Sequence, residues 1–427
     1  MPAVITAADF RDMVDEARRG EREFAVVDTR PTDEFESWRI ADSINYFYKP
    51  FHEFDREEFE RETGLSASDT VVTTCAKGKA SLDIAEELEA AGYDEVYVVE
   101  DGMRGWSSVY DHVRVPLPEA GDDPLDVVQI QRRAKGCLGY LIVGGERDDA
   151  SVDSGRLGDV VTDGSDRLAV AVDVSRHDEE WATAAAASDA TIVGVLDTHV
   201  HADHLSGGRA LADELDVPYF LPAAAADRDV AYAFEPLERN ETLDVGGVGL
   251  KALATPGHTD DMASYLVGRS AVLTGDTLFT DSVGRTELQF AAGDEGDDAE
   301  SEGAEIGAER LYDSVHATLL AEPDDVVVCP GHFTVENDGT IGRVTPGEPV
   351  MTTVGDARRG IEILQADRAR FVERITATLP EKPPNYESVI AANRGIDAPE
   401  DEVAAIELEL GPNRCAAEAA PEPNADD

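Results

Sequence analysis

A chain of 427 residues with 42% hydrophobic side chains holds enough apolar material for two or three cores at the usual ~100–200 residues per domain. Its 90 acidic residues outnumber 36 basic ones, and the net charge of −54 is scattered along the sequence, which excludes a nucleic-acid-binding surface and makes an acidic solvated shell the simple reading. No apolar run approaches the ~20 residues of a membrane span, and Cys75, Cys137, Cys329 and Cys415 form no C-x-x-C pair; a membrane anchor, a disulfide framework and a cysteine zinc knuckle are not indicated, and a cytoplasmic setting is expected.

In chain order, Thr6-Ala7-Ala8-Asp9 reads as a helix start, with Phe10, Met13, Val14 and Ala17 as an apolar stripe at helical spacing. Residues 24–27, 71–74 and 95–99 read as strands, and Leu82, Ile84, Ala85, Leu88 and Ala91 mark a helix between the last two. This alternation predicts a small parallel α/β domain. Between its second strand and that helix lies Cys75-Ala76-Lys77-Gly78-Lys79-Ala80-Ser81. A cysteine there faces converging backbone N–H groups and the positive end of a helix dipole, and Lys77 and Lys79 add charge, so thiolate is favoured over thiol. An inert buried cysteine at a strand end is the competing reading.

Residues 116–126, with three prolines, a glycine and four acids, form a linker by composition. The second domain, residues 127–414, opens with strands at 139–144 and 168–173 and a helix at 177–189. A β-branched run at 191–196 then delivers His199-Val200-His201-Ala202-Asp203-His204. Three imidazoles and a carboxylate at one strand end suit zinc or iron. The bland alternative is a polar loop whose histidines cap the next helix. Three further apolar segments run into glycine-containing turns that present one ligand candidate each: Thr255-Pro256-Gly257-His258, Leu273-Thr274-Gly275-Asp276 and Cys329-Pro330-Gly331-His332. Residues 291–309 read as an acidic solvated loop grading into a helix at 308–320. Residues 356–378 are helical in pattern, and 415–427 are expected to be disordered. Cys137 and Cys329 read as packed strand residues.

The four ligand-bearing segments, in this order, resemble the metallo-β-lactamase superfamily from about residue 127 to 370. The resemblance implies an αββα sandwich that gathers metal ligands from loops at one edge of two packed sheets. Upstream, Asp28-Thr29-Arg30 with Glu34-Phe35, the 75–81 loop and Glu100-Asp101-Gly102-Met103-Arg104-Gly105-Trp106 are similar to a single rhodanese domain over residues 1–115. That likeness implies a Cys75 persulfide cradled by a loop containing Lys77, Gly78, Lys79 and Ser81. The expected fold class is therefore α/β, a rhodanese-like domain followed by a metallo-β-lactamase sandwich. Two departures, Ala80 where the family often has a basic residue and Ser37-Trp38-Arg39-Ile40 in place of its usual Gly-His-Ile segment, imply slow or selective transfer from anionic donors. The acidic composition, with only six lysines, is similar to that of proteins from salt-loving organisms, where ionic strength screens self-repulsion.

Two chemistries in the superfamily use the same ligands. A binuclear zinc hydrolase would place His199, His201 and His258 on one metal, Asp203, His204 and His332 on the other, and Asp276 between them. A mononuclear Fe(II) oxygenase would use His199, His258 and Asp276 and leave His201, Asp203, His204 and His332 as neighbours or the remnant of a second site. Gly284-Arg285-Thr286-Glu287 after the metal Asp is similar to persulfide dioxygenases, which implies an Arg285 close to a thiol carrier. Fusion to a sulfane-sulfur module leans the same way, because tethering raises the effective concentration of a shared intermediate. The expected function is conversion of a low-molecular-weight thiol persulfide, with O2 and water, to thiol and sulfite, with one Fe(II) per chain and Cys75 and Arg285 as catalytic residues. A two-zinc thioester hydrolase of glyoxalase II type and a non-catalytic sulfur carrier or sensor are the alternatives. The carrier thiol and the oligomeric state, a homo-oligomer included, stay open.

Overall fold

A computed structural model of the chain describes residues 1–49, 51–118, 125–146, 156–157, 167–288, 297–377 and 382–417. The readings for linker residues 119–124, for 291–296 of the acidic insertion and for 418–427 of the tail lie outside the described residues.

Ala25–Asp28, Val71–Thr74 and Val96–Val99 carry apolar side chains toward both faces, as strands of a parallel sheet covered on both sides must. With Ala3–Ile5 and Ile44–Asn45 they form a five-stranded parallel sheet, in the order Ala3–Ile5, Val96–Val99, Val71–Thr74, Ala25–Asp28, Ile44–Asn45. One core holds Phe10, Met13, Trp38 and Trp106, and a second holds Phe59, Ile84, Leu88 and Tyr93. This is the α/β domain the sequence predicts.

The rest of the chain is a sandwich. A seven-stranded sheet runs Glu235–Leu237, Tyr219–Pro222, Ala190–Leu196, Arg167–Val172, Cys137–Glu146, Asp126–Arg132, Tyr110–Arg114. A six-stranded sheet runs Thr242–Val245, Val248–Ala254, Ala263–Val267, Ala271–Gly275, Val327–Pro330, Thr352–Thr353. Tyr140, Ile142, Val172, Leu250, Tyr265 and Val327 share the core between them. Helices Glu179–Ala187 and Gly208–Leu215 pack on the first sheet, and Asp297–Asp313 and Arg368–Ala377 on the second. The α-β-β-α layering agrees with the expectation. One boundary differs: Tyr110–Arg114, counted with the first domain on sequence grounds, pairs antiparallel with Asp126–Arg132 and belongs to the second.

Strand direction explains where the ligands gather. Val248–Ala254 and Ala271–Gly275 are each antiparallel to Ala263–Val267, and Val327–Pro330 is parallel to Ala271–Gly275. All three therefore end at the same edge, and His258, Asp276 and His332 follow those ends.

The two units are bolted together. Buried Arg133 joins Asp15 of the first to Asp111 on the edge strand of the second, at 2.6 and 2.8 Å. Arg39 N donates to Asn337 O at 3.0 Å, and Gly339 packs on the Arg39 carbonyl.

After the sandwich, helices Tyr386–Asn393 and Glu402–Leu408 fold back onto the loop that follows the central strand, with Val389 and Ala405 packed on Leu205. Glu409 completes the closure. Its carboxylate, fully buried, takes Leu205 N at 2.6 Å, Arg176 Nε at 2.6 Å and Arg132 Nη2 at 3.1 Å. Burial opposes its ionisation, but Arg132, Arg176 and Lys135 win and hold it at about 2 rather than 4.5. A carboxyl depressed in this way stabilises the fold above about pH 4.5 and loses that contribution as pH falls toward 2. We expect Glu409→Gln, which leaves Arg132 buried and unpaired, to cost about 3–5 kcal/mol. In thermal unfolding its deficit against the unsubstituted chain should be full near neutral pH and shrink as the solution is acidified through that window.

Candidate metal centre and cysteine loop

Seven side chains expected to hold metal, His199, His201, Asp203, His204, His258, Asp276 and His332, are all buried. They meet in two overlapping groups. His199, His258 and Asp276 have ligand atoms within 4.8 Å of one another, and so do His201, Asp203 and His204. His332 stands between them, with Nε2 3.1 Å from Asp276 Oδ1 and 3.5 Å from Asp203 Oδ2.

The hydrogen bonds distinguish the groups. His199 Nδ1 lies 3.0 Å from Thr198 Oγ1, and His258 Nδ1 donates to the Arg285 carbonyl at 2.8 Å, so both rings turn Nε2 inward. His199 Nε2, His258 Nε2 and Asp276 Oδ2 have no hydrogen-bond partner among the described residues, although all are buried. Such atoms are costly to leave unsatisfied. A cation at their meeting point would satisfy all three, with the other ring nitrogens fixed from behind as metal-bound imidazoles require. These residues fit a transition metal. In the second group, Asp203 Oδ1 is 3.1 Å from His204 Nδ1, Asp203 Oδ2 is 3.1 Å from Cys137 Sγ, and His201 Nε2 is 3.2 Å from Asp173 Oδ1. The carboxylate there is answered by protein groups, while His201 Nδ1 and His332 Nδ1 stay unpartnered.

Charge follows the same division. Burial, with His201 and His258 nearby, lowers His199 well below the ordinary imidazole range, which keeps it neutral. Burial also works against charge on His204 and His332, but Asp203 and Cys137 raise the first, and Asp276 and Asp203 raise the second. Asp203 and Asp276 are held low by the imidazoles despite burial.

Comparison with known proteins agrees with this geometry. Residues 6–109 match the rhodanese-like domain, and residues 159–332 match the metallo-beta-lactamase superfamily. The chain joins a rhodanese-like domain to a metallo-beta-lactamase superfamily domain. It is 29% identical over 204 residues to a hydroxyacylglutathione hydrolase of Acidiphilium cryptum, covering 47% of this chain and 69% of that one. It is also 29% identical over 158 residues to the mitochondrial persulfide dioxygenase of Homo sapiens, covering 34% of this chain and 54% of that one. A crystal structure of a Staphylococcus aureus metallo-beta-lactamase shares the fold at a TM-score of 0.50 and 21% identity, covering 63% of this chain and 72% of that one.

In the metallo-beta-lactamase domain the metal loop is held by residues the sequence did not single out. Asp173 accepts from Thr198 N at 2.7 Å, Asp261 from Val200 N at 2.8 Å, and Asn393 Nδ2 donates to the carbonyls of His201 and His204 at 2.9 and 2.8 Å. Gly331 is required by contact: a Cβ there would lie 2.5 Å from Asp276 Oδ1. Arg285 stands at the site, but its guanidinium is taken up by protein groups. Its side chain is buried, paired with Glu287 and donating to the Arg414 carbonyl at 2.9 Å; what reaches the site is its own carbonyl, on His258. Two cysteines also need correction. Cys137, read as strand packing, faces Asp203, and Cys415, read as the start of a disordered tail, is buried beside Asp276 and His332. Residues 415–417 pair with 283–285 through Arg285 N to Cys415 O and Ala417 N to Val283 O, both 2.9 Å. Cys329 is the packed residue expected, its thiol pushed up to about 12 by burial.

In the rhodanese-like domain, Cys75 directly follows strand Val71–Thr74 in the loop leading to helix Lys79–Ala90, and buried Ser81 Oγ lies 3.4 Å from its Sγ. Gly78 begins the helix at φ 77°, and Lys77 and Lys79 stand exposed on the rim. Gly102 closes the loop from below: a Cβ there would lie 2.0 Å from the Cys75 carbonyl. The cation the sequence missed is Arg104, whose N–H donates to Ala76 O at 3.4 Å.

Asn393 has no ligating atom in either group, so its loss reports on loop position alone. Asn393→Ala is expected to weaken metal binding by about 10–100-fold, the usual scale for a lost supporting partner, as measured by competition with a chromophoric chelator.

Proposed function

We propose that the metallo-beta-lactamase domain is a mononuclear Fe(II) persulfide dioxygenase and that the rhodanese-like domain is a sulfurtransferase acting through Cys75. The observation that carries this reading is the set His199 Nε2, His258 Nε2 and Asp276 Oδ2, buried, mutually close and unpartnered. Two imidazoles and one carboxylate on one face are the donor set of non-haem Fe(II) oxygenases. Bound there, Fe(II) would supply the open positions where persulfide sulfur and O2 meet.

The chain's own residues prepare that place. Thr198 and the Arg285 carbonyl fix the ring orientations, and neutral His199 is ready to ligate. His332 faces both Asp276 and Asp203, and it holds a proton between them. The reaction balances as RSSH + O2 + H2O giving RSH + sulfite + two protons. In the first domain, a Cys75 thiolate would take sulfane sulfur from thiosulfate, releasing sulfite and leaving a cysteine persulfide. The loop enters helix Lys79–Ala90 at Gly78, so a persulfide anion on Cys75 would lie near the positive end of that helix. Arg285 supports His258 through its carbonyl, while its guanidinium pairs with Glu287.

A second reading keeps some support. His201, Asp203 and His204 have ligand atoms within 4.8 Å of one another and would hold a second metal, His201 Nδ1 being without a partner among the described residues, and a hydroxyacylglutathione hydrolase is among the relatives. The binuclear arrangement is the zinc thioester hydrolase.

Anaerobic purification in high salt followed by metal analysis and oxygen-electrode recording separates the two. We expect about one iron per chain, with O2 uptake and sulfite release on adding a thiol persulfide, and His258→Ala to abolish metal retention and uptake together. Two zinc ions per chain with no O2 uptake would overturn the dioxygenase and make thioester hydrolysis the activity to assay.

A further inference from the structure

We propose that Glu407 is a tethered competitor for the anionic end of sulfur donors at the Cys75 loop, and so sets which donors the rhodanese-like domain accepts. The inference rests on the reading of Cys75 as a sulfur-carrying thiol.

Arg104 springs from directly beneath the loop, where Met103 N donates to Cys75 O at 2.8 Å and Arg104 N to Ala76 O. Its side chain is only 13% exposed. Arg104 Nη2 and Lys77 Nζ both approach one oxygen, Glu407 Oε1, the lysine at 3.6 Å. That carboxylate comes from helix Glu402–Leu408, 303 residues further along the chain than Arg104. An anion from elsewhere in the protein is thus already seated on the cations that flank the cysteine.

A donor such as thiosulfate carries its charge on the atoms that must be held while its outer sulfur meets Cys75. In a chain of net charge −54, few cations are available to hold it, and of Lys77, Lys79 and Arg104 at this loop, Lys77 and Arg104 are the two that Glu407 occupies. The donor and Glu407 therefore ask for the same groups. Glu407 is 53% exposed, so it can turn into water at small cost. It cannot drift off: its helix is held by Ala405 and Leu408 against Leu205 and by Glu409 on Leu205 N, which keeps its local concentration high. The result is a threshold against donors such as thiosulfate that carry oxyanion charge, which an alkyl persulfide with no charged group beyond its sulfur does not meet.

The test is binding of inorganic thiosulfate to the full chain by calorimetry at one fixed salt concentration, in a Cys75→Ser background so that turnover plays no part. Adding Glu407→Gln should tighten binding roughly two- to five-fold, the scale of one partly exposed ion pair. Arg104→Gln should weaken it, and Glu402→Gln, the same charge change on the same helix away from the loop, should leave it unchanged. With Cys75 intact, Glu407→Gln should lower KM for thiosulfate by the same factor, with kcat and the KM for an alkyl persulfide that has no charged group beyond its sulfur unmoved. Equal thiosulfate affinity with and without Glu407→Gln would overturn the proposal, and so would equal tightening by Glu402→Gln, which would trace the effect to net charge. Tightening without any Cys75-dependent sulfur transfer would instead overturn the sulfurtransferase reading and leave the competition standing.

Discussion

Asp276 is a carboxylate in a nearly dry place, facing three imidazoles, and most of the architecture follows from accommodating it. A buried carboxylate with one oxygen unanswered is hard to tolerate unless a cation stands opposite. His332 answers Oδ1, and Oδ2 is left toward His199 and His258. Bringing those four side chains together takes four separate strand ends from two sheets. The sandwich core of Tyr140, Leu250, Tyr265 and Val327 keeps the two sheet edges in register at that point. Loss of packing there would separate ligands that no local interaction holds together.

The second requirement is that the loop between Leu196 and Leu205 not move. Its backbone is tied by Asp173 and Asp261 from within the sandwich, and by Asn393 and Glu409 from the C-terminal segment. The last helices are therefore part of the candidate metal centre and more than an appendage. Through Glu407 the same segment also touches the cysteine loop of the other domain, so one short stretch of chain contacts both candidate sites.

The cluster of candidate ligands was legible because each stands next to a recognisable local pattern, an apolar run entering a glycine turn, and because four such patterns occur in one order. Both domain folds were legible for the same reason: buried parallel strands and their helices announce themselves by composition. What was not legible depends on distance along the chain. Asn393 bonds carbonyls 192 and 189 residues away, and Cys415 reaches its place beside Asp276 only because residues 415–417 find an edge at 283–285. Arg285 shows a subtler limit. Spacing placed the residue correctly at the site, but spacing cannot say whether the guanidinium or the carbonyl of one residue faces inward, and Glu287 decided that.

Arg133 is buried and bonded at once to Asp15 and Asp111, and the chain from 38 to 41 is packed on 337 and 339, so the orientation of the two domains is fixed by desolvated charge as well as by covalent linkage. A swinging-arm enzyme needs a joint, and these contacts remove it. On the proposed chemistry, sulfur would pass between the domains on a small thiol that leaves one mouth and enters the other. The traffic between the two reactions would then follow the cell's pool of that thiol, with the protein serving as a rigid frame that holds two independent docks.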